Sequence, residues 1–203
     1  MVDHIDFLVE EASMEAALRL LLPRIIGDTS FAIYPHQCKE DLLDSLPNRM
    51  RGYAAWLPES YRVVVVVDRD EDDCMELKGK LENAASDANL VTRTQSGGQV
   101  YRVVNRIAIE ELEAWFFGDW SAVCQAFPKV NRNVPNKQGY RDPDGIAGGT
   151  WEALERVLKQ AGHFKTGLRK IEAARSIAEH MDPAQNRSKS FQVFRNVLTE
   201  MTS

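Results

Sequence analysis

Read by hydrophobic periodicity, the chain opens as an alternation of short apolar runs and helical stretches. Ile5 to Val9 is an apolar run ending at Glu10, and behind it Ala16, Ala17, Leu20, Leu21 and Ile25 recur at helical spacing, which predicts strand, turn and helix in that order. A second strand is predicted from Ser30 to Tyr34, stopped near Pro35, and a second helix from Lys39 to Arg49 on Leu42, Leu43 and Leu46, with Pro47 the residue least suited to it. Arg62 to Val67 (RVVVVV) is the strongest element, because a β-branched run with no polar face marks a central strand covered on both sides. It breaks into DRDEDD. A helix from Met75 to Ala88 then carries Leu77, Leu81 and Ala85 on one face, and a fourth strand is predicted from Leu90 to Thr94.

Strands that alternate with helices imply a parallel sheet flanked by helices, since parallel neighbours need crossover connections. The fold class is therefore α/β. After Gly97-Gly98, Val100 to Ile109 reads as extended and Glu110 to Phe117 as a helix bearing Leu112, Trp115 and Phe116. Lys129 to Gly149 is rich in Pro, Gly, Asn and charge, the composition of a long loop, and from Trp151 the chain reads as helical with breaks near Gly162 and Pro183. This divides the chain into an α/β domain over residues 1–120 and a loop and helical region, 121–203, packed on it. Trp115, Trp151, Phe191 and Phe194 sit at helical spacing among Leu and Val and are expected in the core.

Composition narrows the classes. Of 203 residues, 44% are hydrophobic and 27% charged, which excludes a mainly disordered chain. The longest apolar run, Val63 to Val67, is far too short to span a bilayer, and acids stand at the N-terminus where a secretory signal carries bases, so a soluble cytoplasmic protein with no membrane partner is expected. Cys38, Cys74 and Cys124 are odd in number and scattered, which indicates neither a disulfide framework nor a cysteine zinc site. His4, His36, His163 and His180 lack paired ligand spacing, and no Gly-x-x-x-x-Gly-Lys loop is present. The net charge of −5 conceals a split: residues 1–119 hold 12 Lys and Arg against 22 Asp and Glu, and residues 120–203 hold 13 against 8. An acidic metal site beside a phosphate-binding surface has this pattern, as do solvated faces segregated by chance.

In an open α/β sheet, ligands collect at the carboxyl ends of the strands. Glu10 and Glu11 directly follow the first strand, and Asp68 and Asp70 directly follow the third. Carboxylates gathered on one edge repel unless a cation joins them, and hard oxygen donors select Mg²⁺ or Mn²⁺. Asp-x-Asp alone is also found in nucleotide-sugar transferases and in aspartyl-nucleophile phosphatases. The phosphatase reading is weakened by Asp72, where Thr or Val is usual, and by the position of the motif in the middle of the fold.

The segments FLVEEASMEAAL (Phe7 to Leu18) and VVVVVDRDEDDC (Val63 to Cys74) resemble the Toprim domain, with a glutamate after the first strand and Asp-x-Asp after the third. RIAIEELEAWFFGDW (Arg106 to Trp120) and HFKTGLRKIEAARSIAEHM followed by SFQVF resemble a family of small Toprim-like proteins of uncharacterised function. Such proteins are often encoded beside ATPases, as in the overcoming-lysogenization-defect nucleases and related phage-defence pairs. The resemblance implies Mg²⁺- or Mn²⁺-dependent phosphodiester hydrolysis on DNA or RNA, with a separate ATPase as partner. It implies that Asp68 and Asp70 hold metal and that Glu10 is a ligand or general acid/base. Glu113 is the first candidate for a further ligand, followed by Glu110 and Glu111, although a solvated helix face would carry the same acids. Lys165, in the HFK segment, is the candidate for transition-state charge, ahead of Arg169, Lys170 and Arg175. Lys129, Arg132, Lys137 and Arg141 could track a nucleic-acid backbone. The usual Glu-Gly is Glu10-Glu11 here, which supports the alternative of a non-catalytic interaction subunit. A homo-oligomer stays open.

Overall fold

The valine run forms the middle of the sheet. In the computed structural model, which describes residues 2–203, β3 (Tyr61–Asp68) lies between β1 (His4–Val9) and β4 (Val103–Ala108), with β2 (Ser30–Pro35) outside β1; all pairings are parallel and the order is β2-β1-β3-β4. The register sets Leu8 opposite Val65 and Val64 opposite Val104. Alternation then assigns the two faces. Phe7, Val9, Val64, Val66 and Val104 face α1 (Ala12–Ile26) and the later helices α4 (Leu112–Gly118), α5 (Trp120–Ala126), α6 (Thr150–Gln160), α7 (Lys170–His180) and α8 (Lys189–Thr202). Leu8, Val63, Val65 and Val67 face α2 (Lys39–Trp56) and α3 (Cys74–Ser86). Covered on both sides, β3 needs the unbroken apolar run its sequence supplies. The chain is an α/β protein; among the described residues a four-stranded parallel sheet is flanked by eight α-helices and leads into a helical region.

Three expectations change in detail. The fourth strand is Val103–Ala108, not Leu90 to Thr94. That earlier segment makes a single bridge, Thr92 to Val103, because the buried Thr92 is polar and is held by Glu82 of α3, while Val91 faces solvent. Helix α2 runs through Pro47 to Trp56, past Arg49, because Met50 and Tyr53 continue the buried row of Leu42 and Leu46. The segment 129–149 is mostly irregular but contains short 3₁₀ turns at Val134–Asn136, Gln138–Tyr140 and Pro143–Gly145.

The C-terminal helices share the core of the sheet. Trp115 of α4 stacks on Phe194 of α8 with ring centroids 5.0 Å apart, and Phe194 meets Phe7 of β1 at 6.4 Å. α7 lies along α1, and the Arg24 guanidinium donates to the backbone carbonyls of Ala178 and Met181 at the last turn of α7. No described helix is long and apolar enough to cross a membrane.

Candidate functional site

The strand order reverses between β1 and β3: the chain leaves β1 toward β2, then crosses back to place β3 on the other side. The carboxyl ends of β1 and β3 therefore frame the crevice where open α/β sheets hold ligands. Glu10 continues β1, and its Oε2 accepts a hydrogen bond from the backbone N–H of Asp68, 3.0 Å away, which ties the two strand ends together. The loop after β3 is tied in turn to the loop after β4, since Arg69 and Asp70 both donate their N–H groups to the Glu110 carbonyl. Asp70 turns the chain with φ +49, a conformation that aspartate tolerates better than most residues. Glu113 arrives from the first turn of α4, 2% exposed.

Burial and mutual repulsion raise the proton affinity of these acids. Desolvation, followed by the charges of Glu10, Glu113, Asp70 and Glu11, holds the Asp68 carboxyl well above the usual range. Asp68 is 5% exposed and its Oδ1 is buried with no hydrogen-bond partner among the described residues. Glu10 is pushed up to about 7, chiefly by burial and against the pull of the Asp68 N–H, with Asp70 and Glu11 adding to the rise. Glu113 is also pushed up to about 7 by burial, partly offset by Lys170.

Two lysines answer this negative charge. Lys39, at the start of α2 and 7% exposed, places Nζ 2.6 Å from Asp70 and 2.8 Å from Asp72, and also donates to the Arg69 carbonyl. Burial alone would lower its pKa, but the bonds to Asp70 and Asp72 and the charge of Glu10 raise it. Lys170, at the start of α7, lies 3.7 Å from Glu11 and over the Trp151 ring. Burial works against its charge as well, and Glu113, Glu11, Glu111 and Asp68 prevail. Between α1 and α7 a cleft of about 590 Å³ opens, lined by Glu11, Ser13, His36, Gln37, Arg169 and Lys170.

The structure thus brings Glu10, Asp68, Asp70 and Glu113 to one edge. Lys165 is not at this edge through any ion pair among the described residues; it is exposed in the loop between α6 and α7, and Lys170 faces the acids instead. Lys39 gave no signal in sequence beyond its place just past a strand end. Glu110 pairs with Arg69, and Glu111 caps α6, accepting from the N–H groups of Thr150 and Trp151 and from the Thr150 hydroxyl, so both have structural work. Trp115, Phe191 and Phe194 are buried, and Trp151 is half-buried beneath Lys170. Lys129, Arg132, Lys137 and Arg141 are exposed on the loop before α6.

The donor set is all oxygen, which suits Mg²⁺ or Mn²⁺, and the orphaned Asp68 Oδ1 is the kind of atom a cation would satisfy. Among the described residues no three His, Cys, Asp or Glu side chains converge closely enough to hold an ion as they stand.

These features define an α/β protein with an acidic crevice at its topological switch point, lined by the buried Lys39 and the half-buried Lys170. A family model described as "Domain of unknown function (DUF4276)" matches residues 9–201, and the chain belongs to that family. Comparisons with curated proteins and with solved structures found no match.

Proposed function

We propose that the protein is a metal-dependent phosphodiesterase of Toprim-like type, acting on DNA or RNA. The observation that carries this reading is Asp68: a carboxylate buried at the switch point, one oxygen without a partner, beside Glu10, Asp70 and Glu113. Burying such a group is costly unless a proton or a cation compensates it. Asp68, Glu10 and Glu113 would hold the ion, with Asp70 drawn in from Lys39. Bound there, Mg²⁺ or Mn²⁺ would lower the pKa of a coordinated water and offset charge on the phosphate oxygens.

The chain's own groups supply the rest. Before any ion binds, Glu10 can hold a proton at neutral pH, and a bound cation would lower its pKa and leave the carboxylate that a ligand or general base requires. Its bond to the Asp68 N–H fixes where that proton sits. Lys170 and Arg169 line the cleft beside Glu11 and can grip a phosphate of the substrate strand. The resemblance to ATPase-partnered nucleases further suggests that activity requires a separate ATPase chain.

A second reading, a non-catalytic interaction subunit, is favoured by Lys39. Its ammonium already neutralises Asp70 and Asp72 and can stabilise the acidic loop as a resident cation. Labelled DNA and RNA incubated with purified protein in Mn²⁺ or EDTA, alongside Mn²⁺ titration by calorimetry, separates the two. Cleavage in Mn²⁺ that Asp68→Asn abolishes supports the phosphodiesterase. Absence of both Mn²⁺ binding and cleavage would leave the interaction subunit.

A further inference from the structure

The outer edge of the sheet at β4 is open at Ile107. Val103 is engaged on that side, its N–H donating to Val91 and its carbonyl accepting from Arg93. Two residues further along, the Asn105 carbonyl accepts from Lys78 at 2.8 Å and from the Arg106 guanidinium. The alternation of a parallel strand then turns the Asn105 N–H and both backbone groups of Ile107 outward, without partners among the described residues; Asn105 is 2% exposed, so the groups within reach of the groove are those of Ile107. An edge of this kind is ordinarily covered or blunted.

The space beside it is a groove of about 510 Å³ walled by α3 and α8. Its apolar lining includes Ile107 at the edge, Met75 on α3 and Val193 on α8, the last two 79% and 53% exposed. Its charge is cationic. Arg106 and Lys189 line it and make no ion pair among the described residues, and the Arg106 Nε is buried without a partner. The one acid in the lining, Asp144, is already bonded to Ser188 and Ser190.

We propose that this groove docks an extended segment of a partner protein, alternating acidic and apolar residues, which adds to β4 as a fifth strand. The outward N–H and C=O groups of Ile107 match a peptide backbone. An added strand would direct its side chains alternately toward Met75 and toward Val193, the period of two that both walls require. Acidic side chains would supply the counter-charges that Arg106 and Lys189 lack. A second copy of this chain fits less well, since a two-fold pairing of the edges would set these cations against their own copies.

The probe is a fluorescein-labelled peptide, acetyl-Glu-Ile-Glu-Val-Glu-Ile-Glu-amide, followed by anisotropy and by hydrogen exchange of the ¹⁵N-labelled full chain. Binding is expected to slow exchange of the Ile107 amide by about tenfold or more, to weaken about tenfold when alternate peptide amides are N-methylated, and to weaken similarly with Lys189→Glu or with Val193→Asp, both at exposed positions. Equal binding by the N-methylated peptide, unchanged exchange at Ile107, or no binding at millimolar peptide would overturn the proposal. So would sedimentation showing a dimer that Val193→Asp disperses, which would make the occupant a second copy.

Discussion

Asp68 is kept from water beside three other acids, and its ionisation is opposed by burial before any neighbour is counted. Replacing it with Asn removes the charge and keeps the shape. In EDTA at pH 8, Asp68→Asn should therefore raise the melting temperature by a few degrees, on the order of 1 kcal/mol or more, while abolishing any stabilisation by Mn²⁺; calorimetry with and without the ion checks both. Glu113 gives a pH signature of definite sign. Its folded pKa of about 7 lies above the ordinary 4.5, so the folded state holds its proton more tightly than the unfolded chain. Stability present below about 4.5 is then lost as pH rises toward 7, by on the order of 3 kcal/mol. Thermal melts in EDTA from pH 5 to 8 should show this fall, and Glu113→Gln should make it shallower by Glu113's share, the raised Glu10 and Asp68 supplying the remainder. Glu10, Asp68 and Asp70 were legible in sequence as candidates because they stand at strand ends, where the backbone alone decides the neighbourhood. Lys39 was not, and Lys170 stood only behind Lys165, since a lysine's approach to an acid depends on how its helix packs, which periodicity does not report; the preference for Lys165 followed local sequence.

At the scale of elements, the DRDEDD run divides its labour. Asp70 and Asp72 hold Lys39, and Asp73 caps α3, its side chain accepting from the N–H groups of Met75 and Glu76. Asp73→Ala should cost about 1 kcal/mol by the loss of that cap, measured by urea unfolding. The strand β3 could be read directly, because five valines in succession fit nothing else as well. The segment after α3 could not, because apolar content separates Leu90 to Thr94 poorly from Val103 to Ala108. What decides is Glu82, whose carboxylate binds Thr92, Thr94 and Asn105 and pairs with Lys78. Burial alone would raise its pKa, but these partners lower it. Its contribution to stability is present above pH 4.5 and is lost as acid carries the pH through the lower folded value. Glu82→Ala should cost about 2 to 4 kcal/mol, because buried Thr92 and Asn105 lose their acceptor. Urea unfolding at pH 7 tests this, and the difference from the parent protein should shrink at acid pH.

Over the whole molecule, the division at residue 120 that composition suggested does not coincide with a division of the core. Phe7, Trp115 and Phe194 belong to one cluster, so a fragment ending at residue 120 would expose the side of α1 that α7 covers and the part of the sheet that α8 covers. Such a fragment should lack a cooperative thermal transition, which circular dichroism would reveal. The contact between α1 and α7 has a further consequence. Lys170 at the beginning of α7 meets Glu11 at the beginning of α1, and Arg24 near the end of α1 meets the end of α7, so the two helices run side by side in the same direction. Their macrodipoles are therefore aligned, and both positive ends, each worth about half an elementary charge, point at the edge where the carboxylates gather. Two parallel dipoles repel each other slightly, an arrangement that tight packing and the Arg24 clamp must hold. What it creates is a standing field that favours anions at this one edge, independent of which lysine is present and of whether any ion is bound.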